Sequence, residues 1–166
     1  KVNIAVVLLR HLSNFTDFNM LERDERVNLY YTNNTDDLLK ADIILLPGTK
    51  STLDDLYELR RNGVAQAILR AHREGTMVMG ICGGYQMMGR EICDPEGVEG
   101  SLTRLPGLGL LPVETVLAGE KVSRQIRFTL PGDDRTGSAY EIHMGRTLLL
   151  DGATASPLNR LPDGQA

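Results

Sequence analysis

Only two cysteines occur in the 166 residues. That is too few for a disulfide framework, and a reducing compartment is the default expectation. No apolar run approaches the ~20 residues that a membrane-spanning helix needs, and no stretch has the layout of a signal peptide. Positive charge is not in excess. The 18 Lys and Arg stand against 22 Asp and Glu, a net charge of −4, so nothing points to a nucleic-acid partner. Histidine is scarce, three residues in all, and no group of Cys, His and carboxylate has metal-ligand spacing. A phosphate-cradling G-x-x-x-x-G-K-S/T loop is missing too, so the chain by itself is not expected to bind ATP.

What is present is an ordinary globular composition, 42% hydrophobic and 24% charged. The length suits one domain with its own core. The chain opens directly on a strand-like run without an initiator Met and closes on a polar tail containing Pro and Gly. Both ends read as cut, as in one domain of something longer.

The most informative stretch is Thr76–Gly89, T-M-V-M-G-I-C-G-G-Y-Q-M-M-G. An apolar run ends in Gly80, Cys82 follows, and Gly83 and Gly84 precede a segment that can be helical. Strand, sharp turn and helix with a thiol at the turn is the layout of a nucleophile elbow. A helix N-terminus at that point favours a thiolate, and the Gly83 N–H can donate to an oxyanion. A cysteine in an apolar stretch is also often a small buried hydrophobe. Cys93 lacks the glycine frame and reads as structural.

Taken in order, Val2–Leu9 is an almost continuous aliphatic run, which suits a strand buried on both faces of a parallel sheet. Arg10–Phe18 reads as a loop, with His11 a solvated residue in it. Val27–Thr32 and Asp42–Leu46 read as further strands, with a helical turn at Asp36–Lys40 between them. Pro47-Gly48-Thr49-Lys50 then breaks the chain. Ser51 and Asp54 have capping-box spacing at the start of a helix that runs to about Asn62. A second helix is expected over Val64–Glu74, ending at Gly75, and a fourth strand over Thr76–Ile81. The Pro47–Lys50 loop either binds an anion or oxyanion or simply reverses the chain.

Strands alternating with helices imply an α/β fold, a flavodoxin-like open and mostly parallel sheet flanked by helices. The loop after Leu9, the Pro47–Lys50 loop and the Cys82 elbow then share one sheet edge. Past Cys93 the pattern changes. Leu108–Glu114 reads as a strand, and Lys121–Leu130 and Ser138–Thr147 alternate like added antiparallel strands, turned at Pro131–Asp134. Residues 148–166 are expected to be an irregular tail.

A cysteine nucleophile needs a base and an oxyanion hole. From the residues alone His143 is the leading base candidate, against a reading in which it only packs within the sheet. His72 reads as solvated.

The segment G-I-C-G-G-Y-Q-M-M-G resembles the nucleophile motif of the triad-type (class I) glutamine amidotransferases. Three further stretches, L-R-H-L-S-N-F-T-D-F, A-D-I-I-L-L-P-G-T-K-S-T-L-D-D-L and Y-E-I-H-M-G-R-T, resemble the C-terminal glutaminase domain of the cobyric acid synthase family. The resemblance runs from about Val2 to Thr147. Glutaminases of cobyrinic acid a,c-diamide synthase and of lipid II amidation share the Cys motif but usually differ at Pro47–Lys50.

The resemblance implies one glutaminase domain over 1–166, a fragment of a longer two-domain cytoplasmic enzyme of cobalamin biosynthesis. L-glutamine would be hydrolysed through a thioester at Cys82, with Gln86 helping to hold the substrate and N–H groups near Gly48 and Gly83 forming the oxyanion hole. Arg124, in the alternating strand, is a candidate for contacting the glutamine carboxylate, against a reading as an exposed arginine on an edge strand. Ammonia would pass to an N-terminal ATP-dependent synthetase domain, which amidates adenosylcobyrinic acid a,c-diamide. ATP and Mg²⁺ belong there, with no cofactor or metal in this domain. The family's catalytic histidine lies in a G-T-Y-x-H-G-like motif that this sequence does not contain, which implies an isolated chain with little or no activity and argues against His143 as the base. Two other readings are a flavodoxin-like Cys hydrolase or redox protein, and a non-catalytic interaction domain.

Overall fold

The structure is a computed structural model and describes residues 1–162. Four strands form an all-parallel sheet in the order β2-β1-β3-β4: β1 (Val2–Val7), β2 (Val27–Thr32), β3 (Ile43–Leu46) and β4 (Met77–Gly80). All four were expected from the sequence, β1 and β3 as aliphatic runs. Burial on both faces holds for the inner strands, where Val6, Val7, Ile44 and Leu46 are fully buried. It fails at the edge, where Met77 and Met79 of β4 stay 59% and 38% exposed.

One face carries α2 (Thr35–Leu39), α3 (Thr52–Arg61) and α4 (Val64–Arg73), which bury Leu38, Leu56, Leu59, Ile68 and Ala71 against the sheet. Gly63 and Gly75 end α3 and α4 with φ of +85° and +106°, a conformation that costs glycine little. The other face is covered by a 3-10 turn (Phe15–Phe18) leading into α1 (Asn19–Glu22), where Phe18 packs with Ile4, Val6 and Leu45.

A second sheet has the order β6-β5-β7-β8. Here β7 (Val113–Leu130) and β8 (Asp133–Leu149) make a long antiparallel ribbon turned at Pro131–Gly132, as their alternation implied. The short strands β5 (Glu91–Cys93) and β6 (Arg104–Pro106) complete it. At three residues each they carry too little pattern to be read from sequence.

Two expectations are corrected. The strand expected over Leu108–Glu114 begins only at Val113. The N–H groups of Leu108, Leu110 and Leu111 instead donate to Met87 and Met88 carbonyls at 2.8–2.9 Å, closing the open end of α5 (Gly83–Met87), and Gly109 adopts a φ of +71°. The tail begins later than residue 148, because Leu148 and Leu149 still pair with Glu114 and Val113. Residues 163–166 lie outside the described part.

Candidate active site

Cys82 stands between β4 and α5 with φ 51° and ψ −114°, a conformation that L side chains rarely adopt. Its neighbours explain why the turn can be so tight. A Cβ on Gly80 would lie 2.5 Å from the Tyr85 nitrogen, and one on Gly84 would lie 2.0 Å from the Leu46 carbonyl oxygen. Only glycine fits either place. The turn is closed by Gly84 N–H donating to Ile81 O at 2.9 Å and Gln86 N–H donating to Cys82 O at 3.0 Å. The strained elbow expected from the glycine spacing is therefore present.

The Pro47–Lys50 loop lies beside it. A Cβ on Gly48 would stand 3.8 Å from the Cys82 Cβ, and one on Gly83 would stand 2.7 Å from the Thr49 methyl carbon. The structure thus brings Gly48 and Gly83 beside Cys82 from two different segments. Backbone pairing fastens this loop to the one after β1: Ser13 N–H donates to Gly48 O at 2.9 Å, and Lys50 N–H to His11 O at 3.0 Å.

Asp55, only 2% exposed, secures the same junction. It accepts from Thr49 Oγ1 at 2.5 Å and from the His11 N–H at 3.2 Å, and its Oδ1 faces His11 Nδ1 at 2.8 Å. His11, read as solvated, is half-exposed and tied to a buried carboxylate. The expected capping box at α3 does not form. Ser51 Oγ donates to Asp54 Oδ2 at 3.0 Å, while the Thr52 N–H goes to Glu99, which arrives from the loop between β5 and β6.

The cleft at Cys82 has a volume of about 1380 Å³ and is lined by Asp17, Tyr85, Gln86, Tyr140, Ile142 and His143 among others. Strand β8 forms its wall through backbone carbonyls. Cys82 Sγ donates to Ile142 O at 3.4 Å, and Gln86 Nε2, on a side chain in a residue 5% exposed, donates to Met144 O at 2.9 Å.

Arg124 stands elsewhere on the ribbon, where its Nε donates to Glu141 Oε2 at 2.6 Å, and it does not line the cleft. His143 lines the cleft, but its ring nitrogens face Glu141 Oε1 at 2.9 Å and Gly145 O at 3.1 Å rather than Cys82. His72 lies at the surface with Nδ1 3.4 Å from Thr76 O, and Cys93 Sγ donates to Glu91 Oε1 at 3.4 Å, away from the site.

Electrostatics run against one expectation. Cys82 opens to the cleft, yet protein on its other sides withholds solvent, and this desolvation pushes the thiol above its usual range. The Gly83 N–H pulls it back only in part. With α5 only five residues long, its dipole is a weak counterweight. Burial also raises Asp17 and Glu99, whereas the hydrogen bond from His143 is the first cause holding Glu141 low.

Asp55 and Glu99 escaped the sequence reading. Asp55 at the start of a helix looks like any acidic first-turn residue, and no local pattern links Glu99 to Thr52. Among the described residues no group of three or more His, Cys, Asp or Glu could hold a metal ion, and no helix is long and apolar enough to cross a membrane.

Known proteins are similar to this chain. The chain is 72% identical over 165 residues to a cobyric acid synthase of Bacteroides fragilis, covering 99% of this chain and 33% of that protein. It thus spans about a third of the length of such curated relatives. The solved structure of PurLQS from Thermotoga maritima superposes with a TM-score of 0.70 at 19% identity, covering 98% of this chain and 75% of that one. A solved glutamine amidotransferase gives 0.67, also at 19% identity, covering 96% and 80%. These two establish the fold as that of class I glutamine amidotransferases. Residues 3–161 match the family described as the CobB/CobQ-like glutamine amidotransferase domain, and the chain belongs to that family.

Proposed function

We propose that this chain is the glutaminase domain of a cobyric acid synthase, supplying ammonia for amide formation. The observation that carries the reading is the strained Cys82, held at φ 51° between glycines that tolerate no side chain, with Gly48 and Gly83 beside it. Strain of this kind costs roughly 1–3 kcal/mol, persists only where the surrounding structure over-determines it, and clusters at active sites. The high identity to cobyric acid synthases supports the assignment of the substrate class.

In this reading Cys82 Sγ attacks the side-chain amide carbon of L-glutamine. The resulting oxyanion is met by N–H groups of the Gly48 and Gly83 segments. The carbon–nitrogen bond then breaks, the nitrogen leaves as ammonia with the proton taken from the thiol, and a thioester remains. Water cleaves the thioester, giving glutamate and the free thiol. Gln86 lines the cleft and donates to Met144 O, and in this reading it also contacts the bound glutamine. Arg124 would have to leave Glu141 to meet a carboxylate in the cleft. His11 Nδ1 and both ring nitrogens of His143 turn to partners other than Cys82.

Ammonia would be consumed in an N-terminal synthetase domain that uses ATP and Mg²⁺ to amidate adenosylcobyrinic acid a,c-diamide in the cytoplasm. No step on this chain runs through those groups. The test is ammonia release from glutamine by the full-length protein, wild type against Cys82→Ala. Loss of release with synthesis restored by free ammonia supports the reading, and equal release from both proteins overturns it.

A further inference from the structure

The ribbon that walls the cleft is broken where it passes the nucleophile. Pairing runs Arg124↔Glu141, Val122↔His143 and Lys121↔Met144, then resumes only at Val116↔Arg146. Four residues of β7, Leu117–Glu120, are therefore opposed by Gly145 alone. Gly145 turns with a φ of +80°, and a Cβ there would meet Val116 O at 2.6 Å. Strand β8 presents the Ile142 carbonyl to Cys82 and the Met144 carbonyl to Gln86 from the last paired residues before the break, opposite Ser123 and Lys121.

His143 sits between those two residues. Its Nδ1 is 3.1 Å from Gly145 O, inside the break, and its Nε2 is 2.9 Å from Glu141 Oε1, on the intact ladder. A carbonyl oxygen and a carboxylate can only accept, so both contacts are hydrogen bonds when both ring nitrogens carry hydrogen. Glu141 is anchored in turn across the ribbon by Arg124 at 2.6 Å. Arg124, Glu141 and His143 thus form a continuous polar line from the regular ribbon to the break.

We propose that His143 is a positioning residue rather than the base of the thiol: a clasp, anchored through Glu141 to Arg124, that ties the paired part of β8 to Gly145 at the break and sets the Ile142 and Met144 carbonyls against Cys82 and Gln86. The assignment rests on the glutaminase reading. It accounts for a histidine that lines the cleft with both nitrogens turned to other partners, and for an arginine on the same ribbon that does not line it. The clasp shapes the ground-state cleft, so its loss weakens glutamine binding more than it slows the chemical step.

The test uses the full-length protein and glutamine-dependent ammonia release, with ammonia-dependent synthesis as the control for an intact synthetase. For His143→Ala we expect KM for glutamine to rise about tenfold, the scale of a lost charge-assisted hydrogen bond, with kcat within about threefold of wild type. His143→Gln, which keeps amide donors, should recover part of the loss. Arg124→Gln should raise KM by about twofold, and as an exposed site it remains informative if the His143 variants do not fold. A fall of 10²–10⁴ in kcat at unchanged KM for His143→Ala is the signature of a lost base and overturns the assignment. Wild-type KM in the His143 variants overturns it as well, as does wild-type KM in Arg124→Gln where the His143 variants fail to fold. Wild-type ammonia release from Cys82→Ala would instead overturn the glutaminase reading itself.

Discussion

The Glu99 carboxylate accepts the Thr52 N–H at 2.6 Å and faces the Thr52 hydroxyl at 3.2 Å, across 47 residues of sequence. It thereby replaces a local cap at α3, whose Thr52 also lies against Gly83 of the elbow. A carboxylate is well placed at a helix N-terminus, where it meets free N–H groups and the positive end of the dipole.

Removing this cap should loosen the junction of α3 and the elbow. Glu99→Ala is expected to cost about 1–2 kcal/mol, and Glu99→Gln less, since the amide oxygen still accepts. The pH dependence has a definite sign. Burial raises the Glu99 pKa in the folded protein, so the associated stability is full below the unfolded pKa and is lost as pH rises through the folded value. Relative to Glu99→Gln, wild type should therefore lose stability from the ordinary carboxylate range upward to that raised value. Urea midpoints of the two proteins across that range measure the difference.

The glycines of the elbow are predicted to be intolerant for a steric reason. Gly84→Ala puts a Cβ 2.0 Å from the Leu46 carbonyl oxygen, and backbone on both sides leaves nothing to move cheaply. A loss of more than about 3 kcal/mol, or no folded protein, is expected. Gly100→Ala meets nothing within 4 Å and should behave as wild type in the same thermal melt.

Cys82 itself offers a test of stored strain. At ordinary positions Gly is less stable than Ala by roughly 0.5–1 kcal/mol. At φ 51° this order should reverse, with Cys82→Gly at least as stable as Cys82→Ala. Chemical denaturation of the two variants decides it; a more stable Ala variant would show that the turn is not strained.

The raised Cys82 pKa predicts sluggish alkylation. In a Cys93→Ser background the iodoacetamide rate near neutral pH should fall below that of free cysteine and climb at pH values above its ~8.5. The sign for stability follows the same shift. The neutral thiol is favoured in the folded chain, so its contribution is present below the unfolded thiol pKa and is lost as pH rises through the folded one.

Asp55 should be a costly polar substitution. Asp55→Ala leaves Thr49 Oγ1 and the His11 N–H without their acceptor in a buried place. A loss of about 3 kcal/mol is expected, with Asp55→Asn intermediate. Glutamine turnover in the full-length protein should fall with it, because the same contacts hold Gly48 near Cys82; unaltered turnover and stability would show that the loops hold themselves.

The parallel sheet and the elbow were legible because their signals are local. Aliphatic runs without alternation mark β1 and β3, and glycines flanking Cys82 mark a turn too tight for other residues. Ser51 and Asp54 show the limit of such reasoning: the spacing of a capping box is present, but Glu99 outcompetes it for the helix N–H groups. Leu108–Pro112 shows another, since its apolar pattern serves to close α5 and does not begin a strand.

By itself, the sequence determined the α/β architecture, the tight elbow at Cys82 and the ribbon, for each depends on patterns within about ten consecutive residues. Only the tertiary structure decided the partnerships of Asp55 with His11 and Thr49, of Glu99 with Thr52, and of the β8 carbonyls with Cys82 and Gln86. Those contacts join polar groups that lie apart in the chain or meet only in its folded loops. Buried donors and acceptors must find some partner, but which one they find is set by how the elements pack.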